Sequence, residues 1–239
     1  MIYNQFDIGR ILQVFFIQGL IALFFLYILY QILKRGRKRI NILFAFAYLF
    51  VLIGLINNMV YAFIRNEPLL IVLNFITNFT VTFGLIFLTL FNMLIFFSEK
   101  KIDTKWQITI IIIYGAILFL QILFLPFGGI IANESTNWKA LWSFPYYLYV
   151  ITVISVGSIA PTIIISIQIY LEMHEPELKQ RWVYFIIGAL GVVFYMYGVF
   201  TVDLFNDTLI RFIWSLISLT IVLWIYLMYY GVGRQLSSK

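Results

Sequence analysis

The stretch Lys34-Arg35-Gly36-Arg37-Lys38-Arg39 places five positive charges in six residues between two long apolar runs. Each Arg or Lys costs about 2.5 kcal/mol or more at the centre of a membrane, so this stretch cannot lie in hydrocarbon. Basic residues that flank a span stay on the cytoplasmic side and set the orientation of that span. The stretch therefore predicts a cytoplasmic loop between two antiparallel spanning helices, and it fixes the side on which every other loop is expected.

The composition indicates a chain that lies almost entirely in the membrane. Of its 239 residues, 63% are hydrophobic and 11% are charged, and the mean hydropathy is +1.00. Soluble proteins carry about 25% charged residues, so this chain has too few charges to form a water-facing surface. A spanning helix needs about 20 apolar residues, which leaves room for seven spans and for no separate soluble domain. We therefore expect an all-α polytopic membrane protein, a single seven-helix domain over residues 1–239.

The apolar runs define the expected spans and the loops between them. We expect the spans at about 11–33, 40–64, 69–97, 106–125, 146–171, 182–202 and 209–230. In the longest loop, Trp138 and Trp142 lie one helical turn apart, which predicts a short helix in the membrane interface, where indole rings prefer to lie. Pro161 predicts a kink in the fifth span, because proline removes a backbone donor.

The positive charges also orient the bundle. Twelve of the 16 Lys and Arg residues fall in the segments predicted to be cytoplasmic, and four fall in the opposite segments. Because Lys and Arg determine topology, this asymmetry predicts an extracellular N-terminus and a cytoplasmic C-terminus, in the cell membrane. The asymmetry also accounts for the formal net charge of +6. The expected partner of these charges is the lipid bilayer and not a nucleic acid.

The predicted spans lack the ionisable residues that many activities need. No Asp, Glu, Lys, Arg or His falls well inside a predicted span, which argues against a proton pump or a charge-gated ion path. The chain has no Cys and a single His, His174, so neither a thiolate nor a His-based catalytic set can form inside the bundle. Glu172, Glu175 and Glu177 surround His174, and a solvated loop explains that cluster better than a metal site does. We expect no enzymatic activity, no catalytic residue, no metal and no cofactor.

Neutral polar residues are therefore the candidates for function. Asn74, Asn78, Thr82, Thr89 and Asn92 are spaced by 4, 4, 7 and 3 residues, which places them on one face of the third span. Residues of the second, sixth and seventh spans are expected at a similar outer depth, as are Ser155 and Ser158 of the fifth span. The predicted ligand-binding set is Asn57, Asn58, Tyr61, Asn74, Asn78, Ser155, Tyr195 and Trp214.

Two interpretations of this set remain open. One is helix packing, because Asn, Ser and Thr form hydrogen bonds between membrane helices at about 0.6 kcal/mol each. The other is an outward-opening pocket for a small neutral, weakly basic or lipid-like ligand. Gly188, Gly191 and Gly198 are expected to bring the sixth span into close contact with a neighbouring helix.

The sixth span carries the features of a family resemblance. Lys179-Gln180-Arg181-Trp182 is followed by Gly188 and Gly191, and the span ends at Asp203. Together with seven spans, an external N-terminus and a basic first inner loop, this pattern resembles the seven-helix N-terminal sensor region of some prokaryotic histidine kinases. The resemblance implies detection of an external or membrane-borne signal and its relay inward. About nine residues follow the seventh span, so we expect no kinase domain and a separate cytoplasmic partner at the basic inner loops.

Three functions therefore stand as alternatives. The first is a stand-alone receptor-like sensor that binds a small molecule or lipid and signals to a separate partner. The second is a small facilitative transporter, because spans one to three and five to seven cover similar lengths, as in facilitators built from parallel repeats. Against it, only Pro161 lies within a span. The third is a structural subunit held by a permanent partner.

Overall fold

The computed structural model describes residues 12–233, and that part contains nine α-helices and one two-stranded hairpin. The helices are α1 (Gln18–Lys34), α2 (Arg39–Tyr61), α3 (Glu67–Lys101), α4 (Thr104–Phe119), α5 (Phe144–Ile154), α6 (Ala160–Glu172), α7 (Pro176–Val202), α8 (Thr208–Ser218) and α9 (Ile221–Gly233). The strands are β1 (Ile130–Ile131) and β2 (Leu141–Trp142), which pair antiparallel. Leu12–Ile17 and Ser155–Ile159 are π-helical turns, and Leu120–Phe127 and Glu134–Thr136 are 3-10 helices.

Seven helical segments of the described chain are long and apolar enough to cross a membrane. They cover Val14–Lys34, Arg39–Tyr61, Glu67–Ser98, Thr104–Phe127, Phe144–Glu172, Pro176–Val202 and Leu209–Val232. The prediction of an all-α fold with seven helices that are able to span a membrane is therefore confirmed. We call the end that carries β1 and β2 the hairpin end, and the end that carries Lys34–Arg39 the basic end.

Helix α3 lies at the centre of the bundle. In the most apolar 18-residue window of the span that contains α3, 67% of the residues are buried, against 17% in the span that contains α4. Asn66 caps α3 by accepting a hydrogen bond from the Leu69 backbone N–H over 3.1 Å. Glycines bring α2 and α3 close together, since a Cβ on Gly84 would lie 3.0 Å from the Ala47 carbonyl oxygen. The polar face of α3 is therefore surrounded by protein and not by lipid.

Helices α7 and α9 make the second close contact. A Cβ on Gly188 would lie 2.5 Å from the backbone nitrogen of Met228, and one on Gly191 would lie 2.2 Å from the indole of Trp224. Gly198 of α7 faces a different helix, α8, where its Cβ would meet the ring of Trp214 at 1.7 Å. The prediction that these three glycines give close helix contact is confirmed.

The predicted interfacial helix around Trp138 and Trp142 is wrong. Trp138 has a left-handed backbone with φ +57°, and Trp142 belongs to β2 with only 3% of its surface exposed. The Trp142 ring stacks on Phe200 with centroids 5.1 Å apart, and its Nε1 donates to Asn74 Oδ1 over 3.3 Å. The indole points into the bundle because the protein supplies both an apolar surface and an acceptor for its N–H.

Two further predictions are changed in detail. The predicted loop from Glu172 to Arg181 is shorter, because α7 already begins at Pro176, whose fixed φ suits a first helical turn. The kink predicted at Pro161 takes the form of the π-helical turn Ser155–Ile159 just before it. This position is expected, because a proline ring crowds the carbonyl four residues earlier, here Gly157.

Candidate functional site

A cavity of about 110 Å³ lies between α1, α2, α3, α7 and the start of α9 at the hairpin end. Its polar lining residues are Gln18, Asn58, Tyr61, Asn74, Thr77, Asn78, Tyr195 and Asp203. The remaining lining residues are apolar and include Phe25, Val51 and Met196. The cavity therefore has the usual composition of a small-molecule site, an apolar wall with a few polar groups.

Hydrogen bonds hold the amides of this wall in place. Asn58 Nδ2 donates to Gln18 Oε1 over 2.8 Å and thereby joins α2 to α1. Asn74 Nδ2 donates to the Tyr61 hydroxyl over 3.0 Å, and Asn78 Nδ2 donates to Asn74 Oδ1 over 2.8 Å. Asn74 and Asn78 are one helical turn apart, so their side chains lie one above the other on the same face of α3. The wall is therefore pre-organised by side chains of three helices.

The hairpin closes the bundle on this side. Besides the contact of Trp142 with Asn74, the backbone N–H of Trp142 donates to the Asp203 carbonyl over 2.8 Å. Asn206 Nδ2 donates to the Ser135 carbonyl over 3.2 Å. These bonds attach the hairpin to α3 and to the segment that joins α7 to α8.

An ion pair of Asp203 and Arg211 lies at the rim of the cavity. Arg211 Nη1 is 3.4 Å from Asp203 Oδ1, and the two side chains are 10% and 21% exposed, respectively. Arg211 also donates from Nε to the Phe205 carbonyl over 3.1 Å and from Nη2 to the Ala140 carbonyl over 2.8 Å. Burial raises the pKa of Asp203 to about 6, and the Arg211 charge acts in the opposite direction. The pair therefore joins the hairpin to the start of α8.

Two more cavities, of about 120 and 70 Å³, adjoin the first. All three share Gln18, Val199 and Asp203 as lining residues. The larger of the two reaches the hairpin through Trp138 and Lys139. Asp203 consequently lies where the three cavities meet.

An apolar chamber of about 60 Å³ adjoins the first cavity on the side of the basic end. Six residues line both spaces: Phe25, Val51, Val81, Tyr195, Met196 and Ile221. The chamber is further lined by Ala47, Tyr48, Gly84, Leu85, Leu88, Val192, Ile225 and Met228. The space as a whole therefore changes from polar near the hairpin to apolar near the middle of the bundle.

The structure brings most of the predicted ligand-binding set together. Five of its eight residues line the 110 Å³ cavity, namely Asn58, Tyr61, Asn74, Asn78 and Tyr195. Trp214 lines the adjoining 70 Å³ cavity.

Asn57 and Ser155 do not line any of these spaces. Asn57 Nδ2 donates to the Leu73 carbonyl over 2.8 Å and to Thr77 Oγ1 over 2.7 Å, so it joins α2 to α3. Ser155 lies 2.6 Å from the Tyr197 hydroxyl and donates to the Ile151 carbonyl over 2.5 Å. Both residues serve helix packing.

The other end of the polar face of α3 also serves packing. Thr89 Oγ1 lies 2.8 Å from Ser158 Oγ and 2.9 Å from Thr162 Oγ1. Asn92 Nδ2 donates to the Thr162 carbonyl over 3.1 Å and to Ser166 Oγ over 2.7 Å. The expectation that Ser158 shares the depth of Asn74 and Asn78 is therefore wrong. The two open interpretations apply to different halves of one helix face, with the cavity at Asn74 and Asn78 and packing at Thr89 and Asn92.

Sequence reasoning missed Gln18, Arg211 and Trp142. Gln18 carried a usable signal, because it is an amide within the apolar run of the first predicted span. Arg211 and Trp142 gave no signal of this kind, since an Arg near a span end and a Trp in a loop are both common at membrane interfaces.

The chain matches no known protein family, and neither curated proteins nor solved structures give a match to it.

Proposed function

We propose that this protein is a receptor-like membrane sensor that binds a small molecule in the 110 Å³ cavity. The observation that supports it is the convergence of Gln18, Asn58, Asn78 and Tyr195, from four different helices, on one cavity. Helix packing alone would direct these polar groups at one another, as it does for Thr89 and the residues around it. Here Asn58 and Asn78 do form such bonds, to Gln18 and Asn74, but these side chains also border a common space.

The proposed relay runs along α9. Ile225 and Met228 of α9 line the apolar chamber. The next residue, Tyr229, accepts a hydrogen bond from Arg35 Nη2, and the Arg35 guanidinium lies 4.4 Å from the centre of the Tyr229 ring. A shift of α9 on ligand binding would therefore reach the basic loop, where a cytoplasmic protein partner would dock.

The orientation belongs to the same proposal. The predominance of Lys and Arg near the basic end favours a cytoplasmic position for that end and an extracellular position for the hairpin, in the cell membrane. The chain contains no cysteine, so single cysteines can be labelled without background. An impermeant maleimide added to intact cells should label Asn206→Cys and should not label His174→Cys. The reverse pattern would overturn the orientation and with it an external ligand.

The binding proposal is tested by molecules that copurify with the protein. Asn78→Leu removes an amide from the cavity, whereas Asn92→Leu removes an amide of the same face outside the cavity. Mass spectrometry of extracts from the purified proteins should detect a small molecule that is depleted in Asn78→Leu and retained in Asn92→Leu. Equal recovery from both variants would contradict a ligand in this cavity.

Two outcomes would favour the alternative functions over a sensor. If proteoliposomes take up the copurifying molecule, the protein is a facilitative transporter. If the protein is stable only with a second chain bound, a structural subunit is favoured.

A further inference from the structure

Within residues 12–233, the hydrogen bonds of the cavity wall leave over both acceptors and donors. The bonds of Asn58 and Asn78 described above use their Nδ2 atoms, which leaves two Oδ1 acceptors among the lining residues. Asp203 adds a carboxylate whose charged partner within residues 12–233 is Arg211, at 3.4 Å. The donors that the described bonds leave over are Gln18 Nε2, the Tyr195 hydroxyl and the second Nδ2 hydrogens of Asn58 and Asn74.

The positively charged side chain at the cavity rim, Arg211, already has partners in the protein. Arg211 donates to two backbone carbonyls and faces Asp203 with its third nitrogen. Lys139 lines the adjoining 120 Å³ cavity and does not line the 110 Å³ cavity. A ligand head group next to Asp203 therefore meets a carboxylate acceptor in a cavity that no Lys or Arg side chain of the described chain lines, and an anionic head would be repelled by that carboxylate.

The apolar chamber defines the other end of the ligand. It continues the polar cavity through their shared lining residues, such as Val81 and Met196. An apolar cavity of about 150 Å³ holds benzene, and the polar cavity and its chamber together offer similar room. The space therefore fits a molecule of about six non-hydrogen atoms with one polar end.

We propose that the cavity takes a small amphipathic molecule with a hydrogen-bond-donating, non-anionic head beside Asp203 and a short linear apolar tail in the chamber of Leu85 and Met228. A hydroxyl or a protonated amine meets the requirement for the head. This inference rests on the proposed function, because it assigns a ligand class to the same cavity.

The test uses four probes of similar size that differ in the head: pentan-1-ol, pentan-1-amine, 1-methoxybutane and pentanoate. Their binding to the protein in nanodiscs is measured by saturation-transfer NMR, with empty nanodiscs as the control for partitioning. The alcohol and the amine should bind at least tenfold more tightly than the ether and the carboxylate. Equal binding of all four, or tighter binding of pentanoate, would overturn the inference while leaving a ligand cavity in place. Binding of none of the four, together with no copurifying molecule, would overturn the proposed function itself.

The tail is tested by a variant that fills the chamber. Ala47 lines the chamber and not the polar cavity, so Ala47→Leu should weaken pentan-1-ol at least tenfold and leave ethanol unchanged. Ethanol serves as the internal control for folding, because it needs the head site alone. Unchanged binding of pentan-1-ol would overturn the placement of the tail.

The binding site of the head group is tested by substitutions at two neighbouring Asn residues. Asn58→Ala should weaken both pentan-1-ol and ethanol at least threefold, whereas Asn57→Ala, outside the cavity, should change neither. Should Asn58→Ala fail to fold, the comparison of the four heads on the unaltered protein decides the matter. Equal effects of the two substitutions would contradict the proposed head site.

Discussion

Replacing Arg211 with Gln tests whether the ion pair at the cavity rim stabilises the hairpin end. Arg211 loses its charge opposite Asp203 and at least one of its two bonds to backbone carbonyls. Removing one partner of a buried pair costs about 3–5 kcal/mol, because the other charge stays buried without compensation. Both side chains are at least 79% buried, so this range applies. We expect the free energy of unfolding at pH 8 to fall by about that amount.

The loss should depend on pH in a defined direction. The pKa of Asp203 is raised to about 6 by burial and held down by Arg211, so Arg211→Gln should raise it further. A carboxyl whose pKa is raised on folding costs stability as the pH rises from its unfolded value towards its folded value. At pH 5 Asp203 is mostly protonated in the native protein, so the ion pair contributes little there. Each further unit of pKa corresponds to about 1.4 kcal/mol, and the deficit of the variant should shrink by at least that much between pH 8 and pH 5.

The assay is reversible unfolding in mixed micelles with increasing SDS, followed by circular dichroism at pH 5 and pH 8. Besides Arg211, the charged or ionisable residues that line these cavities with Asp203 are Lys139, Tyr61 and Tyr195, and none of them is a carboxylic acid or a histidine. Arg181→Gln is the matched control, because its partner Glu177 is 75% exposed and such pairs contribute about 1 kcal/mol or less. A deficit of Arg211→Gln that is equal at both pH values would refute the electrostatic reasoning.

Two further predictions concern close contacts between helices. Gly188→Ala should lower the free energy of unfolding by about 1–3 kcal/mol in the same assay, because its Cβ would meet the backbone of α9 at 2.5 Å. Gly19→Ala, whose Cβ would have 3.9 Å of room, should cost nothing, and a similar loss for both would contradict the close contact. Asn92→Leu removes two hydrogen bonds between α3 and α6 and should cost about 1 kcal/mol in SDS unfolding, at about 0.6 kcal/mol for each bond. No measurable loss would show that the packing role is wrong.

Adjacent amides show where reasoning from the sequence ends. Asn57 and Asn58 are chemically identical, and both were predicted to line the pocket. Successive residues of a helix point about 100° apart, so only one of them can face a given neighbour. Which of the two faces the cavity depends on the rotation of α2 about its own axis relative to α1 and α3. Hydropathy does not reveal this rotation, because the residues of α2 around both Asn residues are apolar.

The hairpin shows a second limit. A loop tryptophan such as Trp142 is explained equally well by the membrane interface and by burial in the protein. The choice was made by Asn74 and Phe200, which lie 68 and 58 positions away and supply the acceptor and the ring surface. Contacts of this range are set by the assembled bundle and not by local sequence.

The sequence by itself determined that the chain has seven segments apolar enough to cross a membrane and that the polar residues well inside them are neutral, because the free energy of placing a side chain in hydrocarbon depends on its own chemistry. It also determined that glycines hold α7 close to a neighbouring helix. Only the tertiary structure decided that Asn58 and Asn78 face a cavity while Asn57 and Asn92 join helices. The direction in which each Asn points depends on the rotation of its helix, and the rim of the cavity depends on the pairing of Asp203 with Arg211. Both result from packing between different helices, which the local sequence does not specify.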